Sequence, residues 1–135
     1  MRFMVIVKAN PESEAGILPS REILTEMHKF NAELVKAGVM LAGEGLHASS
    51  KGARVTFPAV HKVTVVDGPF SETKELIAGY WLWQVKSKEE VIEWLKRSPF
   101  GPGAELEIRQ VFEPADFGDN ATPELREAEA RLRAR

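Results

Sequence analysis

Two short stretches hold most of the residues that could do chemistry. One is Gly43-Glu44-Gly45-Leu46-His47-Ala48-Ser49-Ser50, a loop-like run with a histidine in it. An imidazole on a loop braced by a scaffold can take or give a proton near neutral pH. The other is Asp67-Gly68-Pro69-Phe70, which closes an apolar stretch with an aspartate and a rigid turn. Gly68 can adopt positive φ and Pro69 offers no ladder donor. Such a turn can hold a carboxylate in a cleft. It can equally be a plain Asp-Gly turn whose carboxylate accepts amide bonds from its own backbone. Ser71-Glu72-Thr73-Lys74-Glu75 follows. There Lys74 could hold an anion, or the whole run could be a solvated face. Tyr80, Trp81 and Trp83 could wall a small-molecule pocket or fill a core or interface.

Composition narrows the list. The chain has 135 residues and no cysteine, so it has no disulfide framework, thiolate zinc site or cysteine nucleophile. It has three histidines, His28, His47 and His61. His28 falls mid-helix near Leu24 and Val35, and His61 begins a strand beside Lys62, so His47 ranks first. No metal-ligand spacing occurs, and Gly43-x-Gly45 lacks the third glycine and the lysine of a phosphate loop. Ser49-Ser50-Lys51 is not a nucleophile elbow. These residues identify no cofactor. With 18 basic and 20 acidic side chains the formal charge is −2, which argues against a duplex-binding surface. Phe3–Val7 is too short for a signal-peptide core, and Ile77–Val85 is far below the roughly 20 residues of a membrane helix. A cytoplasmic protein with no membrane partner is expected.

The elements that must position these residues follow from periodicity. Arg2–Lys8 is apolar at both parities and reads as a central strand. Asn10–Gly16 reads as a loop. A helix capped by Ser20 carries Ile23, Leu24, Met27, Phe30, Leu34 and Val35 at helical spacing and stops at Gly38. Val39–Ala42 is a short strand, and the two-glycine run after it is a loop. Arg54–Phe57 and His61–Val66 flank Pro58-Ala59 as hairpin material. Gly79–Val85 is a strand covered on both faces. Ser87-Lys88-Glu89-Glu90 opens a helix that buries Val91, Ile92, Trp94 and Leu95. Glu105–Phe112 is a half-exposed strand with Leu106, Ile108 and Phe112 inward. Glu113–Ala121 is a linker or arm. Thr122-Pro123 then starts a charged helix with a thin stripe of Leu125, Ala128 and Leu132, which frays or docks on a partner subunit.

Strand, helix, strand, hairpin, strand, helix, strand is the order of a ferredoxin-like α+β sandwich. Right-handed crossovers place both helices on one face of the sheet. The opposite face cannot stay bare if Trp81 or Trp83, Phe3 or Met4, and Val63 or Val65 point that way. A second sheet from an identical chain would cover it in a two-fold homodimer. The alternative is a monomer covered by its own C-terminal arm. The division expected is a ferredoxin-like domain over 1–113 and a C-terminal extension over 114–135.

Asp67-Gly68-Pro69-Phe70-Ser71-Glu72-Thr73-Lys74-Glu75, followed by Ile77-Ala78-Gly79-Tyr80-Trp81, resembles the signature of YCII-related proteins of the DGPF type. Ala42–Ser50 and Glu107–Glu113 resemble segments of one branch of that family, as does the Thr122–Arg135 helix. The resemblance implies a dimeric α/β barrel built from ferredoxin-like halves. It also implies a histidine/aspartate-centred site with a suspected enzymatic role, and an association with extracytoplasmic-function sigma factors. Asp67 matches the DGPF aspartate directly. In the smaller members the histidine lies in the first helix, nearer His28. His47 is preferred because a loop at the sheet rim can reach a turn residue.

Two functions are therefore expected. One is a small-molecule enzyme in which His47 acts as acid or base and Asp67 orients it. Gly68, Pro69, Phe70, Lys74 and Tyr80 would then form the ligand site. The other is a non-catalytic homodimeric module linked to sigma-factor regulation, contacting protein rather than DNA.

Overall fold

The computed structural model describes residues 1–134. Its centre is built by alternation. Phe3 and Val5 on β1 (Arg2–Lys8) and Trp81 and Trp83 on β5 (Ile77–Gln84) point to one face and are buried there. β1 and β5 pair antiparallel, with Phe3 opposite Trp83 and Val5 opposite Trp81. β6 (Leu106–Gln110) extends the sheet beside β1, and β2 (Met40–Gly45) extends it beside β5. The order is β2-β5-β1-β6, antiparallel throughout, which is the ferredoxin-like α+β arrangement expected from the element order.

Both long helices pack on the tryptophan face. α2 (Arg21–Lys36) begins at Ser20, whose hydroxyl accepts from the Ile23 N–H, and contributes Met27, Phe30 and Leu34 to the core. Its turns carrying Ile23 and Leu24 run beyond the packed region, and these residues and Val35 are exposed rather than core. α3 (Lys88–Lys96) contributes Val91, Trp94 and Leu95, while Ile92 faces outward. Ser87 accepts from the Glu90 N–H, and the Glu90 carboxylate reaches back to the Lys86 N–H and also accepts from the Trp94 indole.

The structure corrects three further expectations. Asn10–Gly16 is not all loop: Asn10 and Ser13 form a reciprocal cap and Pro11 occupies the first helical position, so one turn, α1 (Pro11–Glu14), is folded. β2 runs through the two glycines instead of ending at Ala42. A Cβ on Gly43 would stand 2.6 Å from the Trp81 ring, so the glycine lets strand and indole close up. Finally, the hairpin of β3 (Ala53–Thr56) and β4 (Thr64–Asp67) is a separate two-stranded sheet. Val63 and Val65 therefore do not lie on the main sheet. The face away from the helices instead carries Met4, Ile6, Tyr80, Leu82 and Ala42, by strand parity and register. Phe3, Trp81 and Trp83 are on the covered side.

Beyond β6, Glu113 and Asp116 cap a 3-10 segment, Pro114–Asn120, which is broken at Gly118. Thr122 then caps α4 (Pro123–Arg133), as expected for that dipeptide. α4 has no substantial packing against any strand or helix of the body. Phe112 is exposed, not inward-facing, and stacks on Phe117 at 4.8 Å.

Candidate functional site

One side chain ties together three segments that lie far apart in the sequence. The cap at Asn10 folds α1 and sets Glu14 at its end. The Glu14 carboxylate accepts from the Ser49 N–H at 3.0 Å and from the Ser49 hydroxyl. Those bonds favour its charged form and hold the carboxyl below its ordinary value of 4.5, the hydroxyl bond contributing most. The Ser49 hydroxyl in turn accepts from the Phe70 N–H at 3.1 Å. Ser49 thus joins the turn after β1, the loop after β2 and the Asp67–Phe70 turn.

Gly68 completes the junction. Its N–H donates to the Gly52 carbonyl at 3.0 Å. A Cβ at this position would lie 1.8 Å from the Ser49 carbonyl oxygen. The histidine loop and the aspartate turn are therefore in direct backbone contact.

Beside this junction lies a cleft of about 610 Å³ lined by His47, Ser49, Lys51, Arg54, Phe70 and Glu75, with Leu76 and Ile77 among its apolar residues. The Arg54 guanidinium sits 3.9 Å above the Phe70 ring. The cleft can thus offer an imidazole, two cations and an aromatic face to one small molecule, alongside the Glu14 and Glu75 carboxylates. Among the described residues, no three His, Cys, Asp or Glu side chains converge as a metal site.

The residues singled out from sequence are distributed unevenly around it. His47 and Phe70 line the cleft. Asp67 ends β4 opposite Ala53 and is exposed. It does not line the cleft, but it is covalently next to the Gly68 contact. Lys74 lies in the 3-10 turn Thr73–Glu75, whose Glu75 does line it. Tyr80 stands on the open sheet face opposite Ile6 and Glu44, away from these lining residues. His28 is exposed on α2 and His61 in the hairpin loop. Sequence reasoning missed Glu14, Ser49 and Arg54. The signal for Glu14 was available in Asn10-Pro11-Glu12-Ser13, a cap followed by a proline, but its partner 35 residues away was not.

Residues 1–115 match the model of the YCII-related domain. The chain belongs to the YCII-related family. No curated protein matches this YCII-related protein. Among solved structures, it is similar to 5-chloro-2-hydroxyhydroquinone dehydrochlorinase from Burkholderia phenoliruptrix AC1100 in complex with 2,5-dihydroxybenzoquinone. That likeness has 16% identity and a TM-score of 0.42, covering 84% of this chain and 96% of that one. No described helix of the YCII-related protein is long and apolar enough to cross a membrane.

Proposed function

We propose that this YCII-related protein is a homodimeric enzyme acting on a small anionic molecule with a flat apolar body. His47 moves the proton. The observation that carries the reading is the composition of the cleft: one imidazole, the Lys51 and Arg54 cations and the Phe70 ring beside a braced backbone junction, with the Glu14 carboxylate already engaged by Ser49 and Glu75 as the other acid on the wall. An imidazole is the side chain suited to proton transfer near neutral pH. Lys51 and Arg54 neutralise the anionic group, while Phe70 and the guanidinium above it give the flat body a surface to stack on. Gly68 and Pro69 hold that ring in position. Asp67 and Lys74 stand outside the cleft wall: Asp67 acts through the Gly68 contact that braces the histidine loop, and Lys74 adds a third cation from the turn that carries Glu75. Tyr80 belongs to a part of the site completed between the two sheets of a dimeric barrel.

The homodimer is supported by the open sheet face. Met4, Ile6, Tyr80 and Leu82 form an apolar strip there that the protomer's helices do not cover. Amide NMR with benzoate and salicylate as probes tests the site. Shifts are expected at His47, Arg54 and Phe70, and Arg54→Ala should abolish them. A saturable response confined to other residues, or none at millimolar probe, overturns the anionic cleft.

A further inference from the structure

The far end of the sheet carries a second hollow. The His47 cleft lies at the end of β1 where Lys8 pairs with Ile77, whereas this one opens beside Arg2, about 20 Å away at strand rise. It is a groove of about 590 Å³ between the end of β6 and α4, within the size range of small-molecule sites. Phe112, Phe117, Leu125 and Ala130 form its apolar walls. Phe112 is 64% exposed, and it stacks on Phe117. Phe117 and Leu125 are exposed too. The fold gathers these side chains around one hollow and leaves them in water.

Polar bonds tie the walls of the groove together. Arg126 on α4 donates from Nε to the Ala121 carbonyl at 2.9 Å and from Nη2 to the Gly118 carbonyl at 3.2 Å. With the Thr122 cap, these bonds fix the first turn of α4 on the 3-10 segment. Arg2 donates from Nε to Glu113 at 2.7 Å and ties β1 to the start of that segment. The groove is therefore shaped by bonds within the chain, although α4 has no substantial packing on the body.

The charges on the walls do not cancel. Three guanidinium groups, Arg2, Arg126 and Arg133, stand against two carboxylates, Glu113 and Glu129. Glu113 is engaged by Arg2, and Glu129 is approached by Arg133 at 3.9 Å. Arg126 has no carboxylate partner among the described residues and is the excess cation. Arg2 is the better placed anchor of the two paired arginines, because its side chain is 27% exposed against 73% for Arg133. Its two Nη atoms make no hydrogen bond among the described residues. A half-buried guanidinium with both end nitrogens unused suits a carboxylate.

We propose that this groove binds a small amphipathic monocarboxylate. Its alkyl chain lies between the Phe112–Phe117 pair and Leu125, and its carboxylate meets the Arg2 guanidinium, with Arg126 as the second cation. An uncharged head would lose the charge-assisted bonds, and a cationic head would meet three guanidinium groups. The groove shares no lining residue with the His47 cleft, and the proposal does not depend on the function assigned there.

Amide NMR of the full chain with octanoate, 1-octanol and octylamine tests it. Octanoate should give saturable shifts at Phe112, Phe117 and Leu125. Octanol should bind at least about tenfold more weakly, and octylamine not at all. Hexanoate, shorter by two methylenes, should bind about tenfold more weakly than octanoate. Arg2→Gln should weaken octanoate about tenfold and leave octanol as it was. Leu125→Glu changes an exposed position on α4, so the body should fold as before while the new carboxylate on the wall abolishes the octanoate response. Three results would each overturn the proposal: no saturable shift at these residues with millimolar octanoate, octylamine binding as tightly as octanoate, or octanoate binding unchanged in either variant.

Discussion

The carbonyl oxygen of Ser49 occupies the space that a side chain on residue 68 would need. A Cβ built on Gly68 falls 1.8 Å from it, and the obstruction is backbone, which cannot rotate away. Gly68→Ala should therefore push the histidine loop off the aspartate turn. The expected cost is about 2–3 kcal/mol, as for other overpacked sites. Gly101→Ala is the control, because nothing lies within 4 Å of its Cβ position. Denaturant midpoints of the two variants measure the difference, and equal midpoints would show that the loop yields.

The Glu14–Ser49 link gives a pH signature. The bonds from Ser49 lower the Glu14 carboxyl below 4.5 in the folded protein. A depressed carboxyl contributes stability that is present above its unfolded value and lost as pH falls through its folded one. The junction should therefore loosen only in acid, below about pH 4.5, and stay closed through neutrality. NMR titration of the Glu14 carboxyl checks this. In Ser49→Ala the midpoint should return toward the ordinary value, and the Phe70 amide should lose its bond and shift with it. An unchanged Glu14 midpoint in that variant would remove Ser49 as the cause.

The sheet was legible in the sequence because its signals are local. Phe3 and Val5, Trp81 and Trp83, and Leu106 and Ile108 announce their strands by parity, and Ser20, Ser87 and Thr122 announce their helices by capping. The site was legible only in part. His47 and Phe70 could be proposed from their loop and turn, but Glu14 and Ser49 are joined by a contact across the chain that leaves no periodic trace. β2 was read short for a similar reason. The glycines that look like a loop are strand residues whose missing Cβ atoms make room for neighbours.

Gly43 tests that last point. Its Cβ would meet the Trp81 ring at 2.6 Å and the Met40 methyl at 2.9 Å. Met40 can move aside. Trp81 cannot, because Phe30, Trp83 and Phe100 pack around it with centroids 5.8, 5.3 and 6.0 Å away and its indole donates to Asn31. Gly43→Ala should cost about 1–3 kcal/mol and change the tryptophan emission as the ring is displaced. A native spectrum with native stability would place the adjustment in β2 itself.

Leu82 tests what covers the open face. It lies opposite Met4 on one neighbouring strand and Ala42 on the other, on the side away from both helices, and is half-buried by its strand neighbours alone. In a lone protomer a glutamate there could turn its carboxylate to water, so Leu82→Glu should fold with near-native stability. In a face-to-face dimer the same carboxylate would be sealed between two apolar strips with no cation opposite, because Lys8 and Arg109 are already drawn to Glu107. An unpaired charge so placed is costly to desolvate, and association should weaken by at least about a hundredfold. Sedimentation of wild type and variant across a dilution series reads that change directly. Identical association in the two would mean that the strip formed by Met4, Ile6, Tyr80 and Leu82 is not the dimer interface.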